Sequence, residues 1–311
     1  MAIFKQPDNS VRSEILKSVG IDNIDRIIKS GPALIEIGLP EIAARALFYK
    51  NLGIENTQSL IEHYPDILLI PLIEAEKRII FFERIGFKDM AKLLFNNPEI
   101  MTKTDKEIKS FFDFLNYIDL NKPIDLFESI PNLINYDKER INENVSHLKK
   151  MGFLNIQKIV LIAPHILRCK TEIISEKLNS FYDAGFQDPV KMLDIEPKLF
   201  DCGNILLDKI LFFINMGLKE PIPIIEKVPR ILLDSEIDIS EAMQPFLDKN
   251  IDMSVILSRI PKILYLKKER VYEQIYILKE LDLYNKNDIE KHPEILFLDK
   301  ENILDVCKKN R

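Results

Sequence analysis

Pro98–Ile130, PEIMTKTDKEIKSFFDFLNYIDLNKPIDLFESI, is followed at once by Pro131-Asn132-Leu133-Ile134, and that return to proline decides the fold. The same proline recurs as Pro32, Pro65, Pro98, Pro131, Pro164, Pro197, Pro229, Pro261 and Pro293, at intervals of 33 residues five times and then 32 three times. Each is followed by one variable residue and an apolar pair, Leu34-Ile35 in the first case and Ile295-Leu296 in the last. All eighteen positions are apolar in a chain that is 46% hydrophobic, so the period is not an accident of composition. A period of this size marks a solenoid, in which each unit buries its apolar face only against its neighbours.

A second marker precedes the prolines by twelve residues, as Gly20, Gly53, Gly86, Asp119, Gly152, Gly185 and Gly217, and by eleven as Asn250 and Asp282. These residue types tolerate the left-handed backbone that a helix C′ position requires. The next residue is always apolar, from Ile21 to Leu283, as expected of a C″ side chain folding back on the last helical turn. A helix therefore ends at each marker. Upstream of it, Ile108, Phe111, Phe112, Leu115 and Ile118 repeat with helical spacing and form one apolar face. Thr104 with Glu107 forms a capping box, and Asp137 and Ser240 are further cap candidates. Downstream of the marker, a shorter helix such as Lys88 to Asn96 turns Leu93-Leu94 inward. Pro189, Pro123 and Pro221 suit the first position of the equivalent helices. The repeat proline then stops that helix, because it lacks an N–H and disfavours helix in the residue before it. The predicted unit is long helix, cap, short helix, proline turn, and the predicted fold class is all-α. Residues 32–311 are expected to form one continuous array of about nine units, with 1–31 as a partial first unit or cap.

Written as proline, any residue and an apolar pair, then helix, apolar-[Gly/Asn/Asp]-apolar and helix, the unit resembles the mitochondrial transcription termination factor (mTERF) repeat. The resemblance runs from Pro32 to Pro293. It implies a curved, left-handed superhelix with a concave groove. It also implies binding of double-stranded DNA or structured RNA along that groove, in control of transcription, ribosome assembly or translation, and in some members a protein partner such as an RNA methyltransferase.

Bulk properties bound the remaining choices. No apolar run approaches the roughly 20 residues that span a bilayer, so no membrane association is expected, and a monomer is. The opening Met1-Ala2-Ile3-Phe4-Lys5 has neither a secretory apolar core nor an Arg/Ser-rich transit pattern. The expected compartment is the cytoplasm if nothing precedes this sequence, and the mitochondrion if a transit segment does. Cys169, Cys202 and Cys307 form no CxxC and are odd in number, which fits a reducing compartment.

Repeat phase selects candidate contacts. Lys198, Arg230 and Lys262 each follow a repeat proline in consecutive units and, with helices packed about 8–10 Å apart, would form a ladder matched to a phosphate backbone. Near the starts of the long helices lie Lys103 and Lys106, Lys138 and Arg140, Arg168 and Lys170, Lys267, Lys268 and Arg270, and Lys300. Helix N-termini carry free N–H groups, so basic residues beside them suit phosphate. Acidic residues, among them Asp137, Glu139, Glu172 and Glu269, alternate in the same turns, where they suit the helix dipole. His165 and Cys169 fall four residues apart with no further ligand to complete a metal site. There is no P-loop, GxGxxG or HExxH. Most aromatics, including Phe81, Phe82, Phe111, Phe112, Phe212 and Phe213, fall at core positions, while Tyr136, Tyr265 and Tyr272 lie near basic residues. The expected function is nucleic-acid binding without catalysis, cofactor or metal. With 49 acidic against 43 basic residues, the alternative is a protein-interaction scaffold, secreted or host-directed in one version, that holds a partner on an acidic curved surface.

Overall fold

The computed structural model describes residues 31–201, 206–280 and 286–298, together with Lys17, Ile21, Ile27 and Lys29. Most of the partial first unit, the caps Gly20 and Asp282, Cys202, Cys307 and Lys300 lie outside the described residues. Among the described residues the chain is helical throughout, without strands. It divides into two compact units. The first runs to Leu148 and takes in Pro164–Arg168; the second holds Lys149–Ala163 and continues from Cys169.

The first unit contains α1 (Leu39–Asn51), α2 (Thr57–His63), α3 (Leu72–Ile85), α4 (Met90–Asn96), α5 (Asp105–Tyr117), α6 (Pro123–Ser129) and most of α7 (Lys138–Lys150). The second contains α8 (Ile156–Ile162), α9 (Thr171–Asp183), α10 (Pro189–Ile195), α11 (Leu206–Asn215), α12 (Ile222–Lys227), α13 (Glu236–Leu247), α14 (Met253–Arg259), α15 (Lys268–Glu280) and α16 (Lys286–Lys291). Long and short helices alternate, and a 3-10 turn follows every short one.

The cap reading holds at each described position. Gly53, Gly86, Gly152, Gly185, Gly217, Asp119 and Asn250 all have positive φ, between 54° and 115°. At several of them the next residue's N–H reaches back five residues to close the helix end: Phe87 to the Phe82 carbonyl, Leu120 to Leu115, Phe186 to Phe181, Leu218 to Phe213 and Ile251 to Phe246. Those apolar residues are buried, so the cap satisfies orphan carbonyls and seals the core in one step.

The expected capping box is present: Glu107 N–H donates to Thr104 Oγ1, and the Thr104 N–H donates to Glu107 Oε2 at 2.7 Å. Asp137 accepts from the N–H groups of Glu139 and Arg140. Ser240 is not a cap. It lies inside α13, whose N-cap is Ser235, accepting from Asp238 N–H. Periodicity cannot choose between two serines five residues apart; the extended φ and ψ of Ser235 do.

One proline turn departs from the rest. After Pro131, Asn132 is left-handed (φ 57°) and the 3-10 turn starts only at Leu133. The Asn132 N–H donates at 2.8 Å to the Asn96 carbonyl at the end of α4, the short helix of the previous repeat, which pulls the chain out of the usual turn.

Neighbouring repeats are also laced by polar bonds. Thirteen residues after a repeat proline, Arg45 donates to the Leu68 carbonyl at 2.6 Å and Asn144 to the Ile166 carbonyl at 2.7 Å. Arg78, at the same phase, donates to the Lys103 carbonyl. These three long helices thus brace the proline turn of the next repeat. Three residues before a proline, Asp194 accepts from Leu154 and Asn155 N–H, and Glu290 accepts from Asp252 N–H at 2.8 Å. These carboxylates cover free N–H groups that precede the neighbouring short helix.

Candidate nucleic-acid interface

Two hollows flank the Leu133–Asn135 turn in the first unit. One, of about 370 Å3, is lined by Lys103, Lys106, Glu107, Ser110, Phe111, Ile134 and Lys138. The other, of about 400 Å3, is lined by Asn132, Asn135, Tyr136, Asp137, Arg140, Leu167 and Arg168. Both draw on the start of α7, which places Lys138 on one side of the turn and Arg140 on the other. Five basic residues of three successive repeats therefore converge on one turn.

Aromatic rings position two of these cations. The Arg168 guanidinium lies over the Tyr136 ring, 4.8 Å from its centroid. Lys138 Nζ lies 5.2 Å from the Phe111 centroid and 5.5 Å from that of Phe114. Such contacts contribute about 0.5–1 kcal/mol each at exposed sites and restrict the rotamers of long side chains. Burial raises the Tyr136 phenol above its ordinary pKa, with Arg168 opposing, so the ring is neutral where the guanidinium meets it.

The carboxylates in these hollows are committed elsewhere. Glu107 is held by the Thr104 backbone and hydroxyl, which lower its pKa. Asp137 is turned onto the start of α7. The alternation of acid and base in the sequence thus separates in space, with acids capping helix N-termini and bases facing the hollows. Arg140 also pairs with Glu143 at 2.8 Å, and Lys103 is close enough to Glu107 to help lower its pKa.

The remaining candidates lie in the second unit and are more dispersed. Lys170 is exposed at the N-cap of α9 and makes no side-chain cap bond. Lys198, Arg230 and Lys262 are all exposed at the second position of their proline turns. Carboxylates surround the middle rung. Burial raises the Asp234 carboxyl above its ordinary pKa, Arg230 and Lys209 lower it, and Asp238 and Glu196 raise it. Tyr265 is pushed up to about 12, chiefly by burial, with Asp234 and Glu196 adding and Arg230 opposing. Lys267 is exposed, Lys268 pairs with Glu241 at 3.1 Å, and Arg270 donates to the Phe297 carbonyl at 3.2 Å.

The expected core aromatics divide: Phe82, Phe111 and Phe213 are buried, whereas their neighbours Phe81, Phe112 and Phe212 are only partly so. Cys169 is half-buried. Among the described residues no group of His, Cys, Asp and Glu is placed to hold a metal ion, and no helix is long and apolar enough to cross a membrane.

Residues 73–204 match the family model described as mTERF. That stretch is similar to mTERF repeats. The matched stretch contains the turns at Pro98, Pro131, Pro164 and Pro197 and both basic hollows. Beyond it, the turns at Pro229, Pro261 and Pro293 and the left-handed caps at Gly217 and Asn250 repeat the same structural unit. No curated protein matches the chain. The mTERF family binds nucleic acids. Sequence phase had picked out the basic residues and Tyr136, but not Ser110 within α5 or Asn132 and Asn135 at the turn, because single uncharged polar side chains carry no periodic signal.

Proposed function

We propose that this protein binds double-stranded DNA or structured RNA without catalysis, and that the main contact is the basic surface around the Leu133–Asn135 turn. The observation that carries this reading is the convergence of Lys103, Lys106, Lys138, Arg140 and Arg168 on two adjacent hollows whose carboxylates are turned onto helix ends. Phosphates are recognised by such clusters through charge and released counterions, so affinity falls steeply with salt. The asparagines and Tyr136 add hydrogen bonding and a flat apolar face beside the charge. Lys170, Lys198, Arg230, Lys262, Lys267, Lys268 and Arg270 supply secondary contacts, weakened where Asp234, Glu196 and Glu241 sit beside them. The family supports this reading, and a role in regulating transcription or RNA function follows from it.

A gel shift at low salt, with mixed-sequence duplex DNA and a structured RNA, tests the proposal. Binding that Lys103→Ala, Lys106→Ala and Lys138→Ala together weaken on every sequence is the expected result. Affinity that is unchanged in that triple variant rules this surface out.

A further inference from the structure

The second unit carries a surface of the opposite character. A hollow of about 650 Å3 lies between α9 and the start of α11, lined by Ile173, Glu176, Lys177, Ser180, Asp183, Ala184, Phe200, Asp201, Leu206 and Leu207. Its apolar lining is unusually open to solvent, with Ile173 52% and Leu207 62% exposed. From Leu207 the apolar strip runs on along α11 through Leu211 and Ile214, 56% and 46% exposed. The spacing i, i+4, i+7 puts the three on one helix face. The adjoining face of α11, about 100° around the helix, packs inward through Leu206, Ile210 and Phe213, all buried. The strip is therefore an additional apolar face, beyond the one the repeat requires.

Charge selects what covers it. Glu176, Asp183 and Asp201 line the hollow against Lys177 alone, and Asp208 stands exposed beside Leu207. Lys177 Nζ lies 5.6 Å from the Phe181 centroid, and Lys209 is buried, donating to the Asp234 carbonyl. An apolar strip inside a carboxylate rim is the complement of an amphipathic helix with leucine-like anchors and Lys or Arg on its flanks. Nucleic acid is disfavoured by the same carboxylates, and a lipid surface by their negative charge.

We propose that this face docks a basic amphipathic helix of a partner protein, with an apolar anchor in the hollow and two more along Leu211 and Ile214. The site is separate from the basic hollows of the first unit, so either proposal can fail alone.

The test uses the full chain and a fluorescein-labelled synthetic helix with Leu at i, i+4 and i+7 and Lys at its other exposed positions. A second peptide carries Glu in place of each Lys. Fluorescence anisotropy at 150 mM salt, an ionic strength at which exposed long-range attraction is largely screened over about 8 Å, should show saturable binding of the Lys peptide alone. Leu207→Ser with Leu211→Ser should weaken it at least about tenfold, the loss expected from unburying even one leucine. Glu176→Gln with Asp183→Asn should weaken it less and reduce its salt dependence. Ile73→Ser with Ile80→Ser, which removes exposed apolar residues from α3, should leave it unchanged; circular dichroism confirms that each variant is folded. Equal loss in the α3 variant, or equal binding of the Glu peptide, overturns the proposal. So does a wild-type chain that is dimeric in solution and made monomeric by Leu207→Ser with Leu211→Ser, because the face would then serve a second copy.

Discussion

The two compact units are built from one repeat yet differ in both core and surface. In the first, Phe82, Phe87, Phe111, Phe112 and Phe127 form a connected cluster with centroid separations of 5.2–6.2 Å. In the second, the ring contacts among the described residues occur as separate pairs, such as Phe153 with Phe200 and Phe181 with Phe186, in a core filled mainly by Leu, Ile and Met. At the surface, the first unit gathers bases of three successive repeats around the Leu133–Asn135 turn, while the second carries an acid-rimmed apolar strip on α11. The difference shows that the repeat specifies only the scaffold. Positions outside the consensus are free to vary, and function resides in them.

The core contrast predicts the largest effect. Phe127→Ala removes a fully buried ring from the centre of the first unit's cluster and should cost about 3–5 kcal/mol. Its phase equivalent in the second unit, Leu193→Ala, is also fully buried and should cost about 2–5 kcal/mol. Urea denaturation read by circular dichroism compares them. Costs in the reverse order would mean that the aromatic cluster adds nothing beyond aliphatic packing.

The surface contrast is sharpened by salt titration. Duplex binding by the Lys103→Ala, Lys106→Ala, Lys138→Ala variant should show a slope of log K against log salt that is flatter by about 2–3. The Lys198→Ala, Arg230→Ala, Lys262→Ala variant should flatten it by less, since Arg230 stands near Asp234 and Glu196. Equal changes in the two triples would erase the distinction between the surfaces.

Caps with the same backbone should respond unequally to a methyl group. Gly152 has φ 94° with nothing within 4 Å of an added Cβ, so Gly152→Ala should cost about 1–2 kcal/mol from the left-handed backbone alone. At Gly86, φ 115°, the same Cβ would meet Ile124 Cδ1 at 2.8 Å, the end of a side chain that can turn aside, so Gly86→Ala should cost only slightly more than that. Thermal melts of the two variants separate the steric contribution from the backbone one.

The smallest effect concerns the α5 capping box, where Thr104→Ala should cost about 1 kcal/mol. Glu107 has a lowered folded pKa, so its contribution is complete above the ordinary glutamate value and is lost as pH falls through the lowered one. Glu107→Gln should therefore flatten the acid limb of a stability–pH curve and leave neutral-to-alkaline differences constant. An acid limb unchanged by Glu107→Gln would show that this pair makes no contribution.

The sequence by itself determined the all-α class, the repeat boundaries and the left-handed caps, because each depends on a local constraint. Proline lacks an N–H, the cap position needs positive φ, and the helix period is 3.6 residues; all three act within a few residues of the one that shows them. The basic residues were legible as a list, and the tertiary structure decided which of them meet. Lys103, Lys138 and Arg168 come from successive repeats, and their convergence depends on how repeats stack, which no single period encodes. The clasps from Arg45, Arg78 and Asn144 to the next proline turn were likewise out of reach, because a polar residue on a helix face can point to solvent or to a neighbour's carbonyl. The same applies to the acid-rimmed strip on α11: its leucines fit the apolar count of a core helix, and only packing shows that Leu206, Ile210 and Phe213 fill the core while Leu207, Leu211 and Ile214 remain outside.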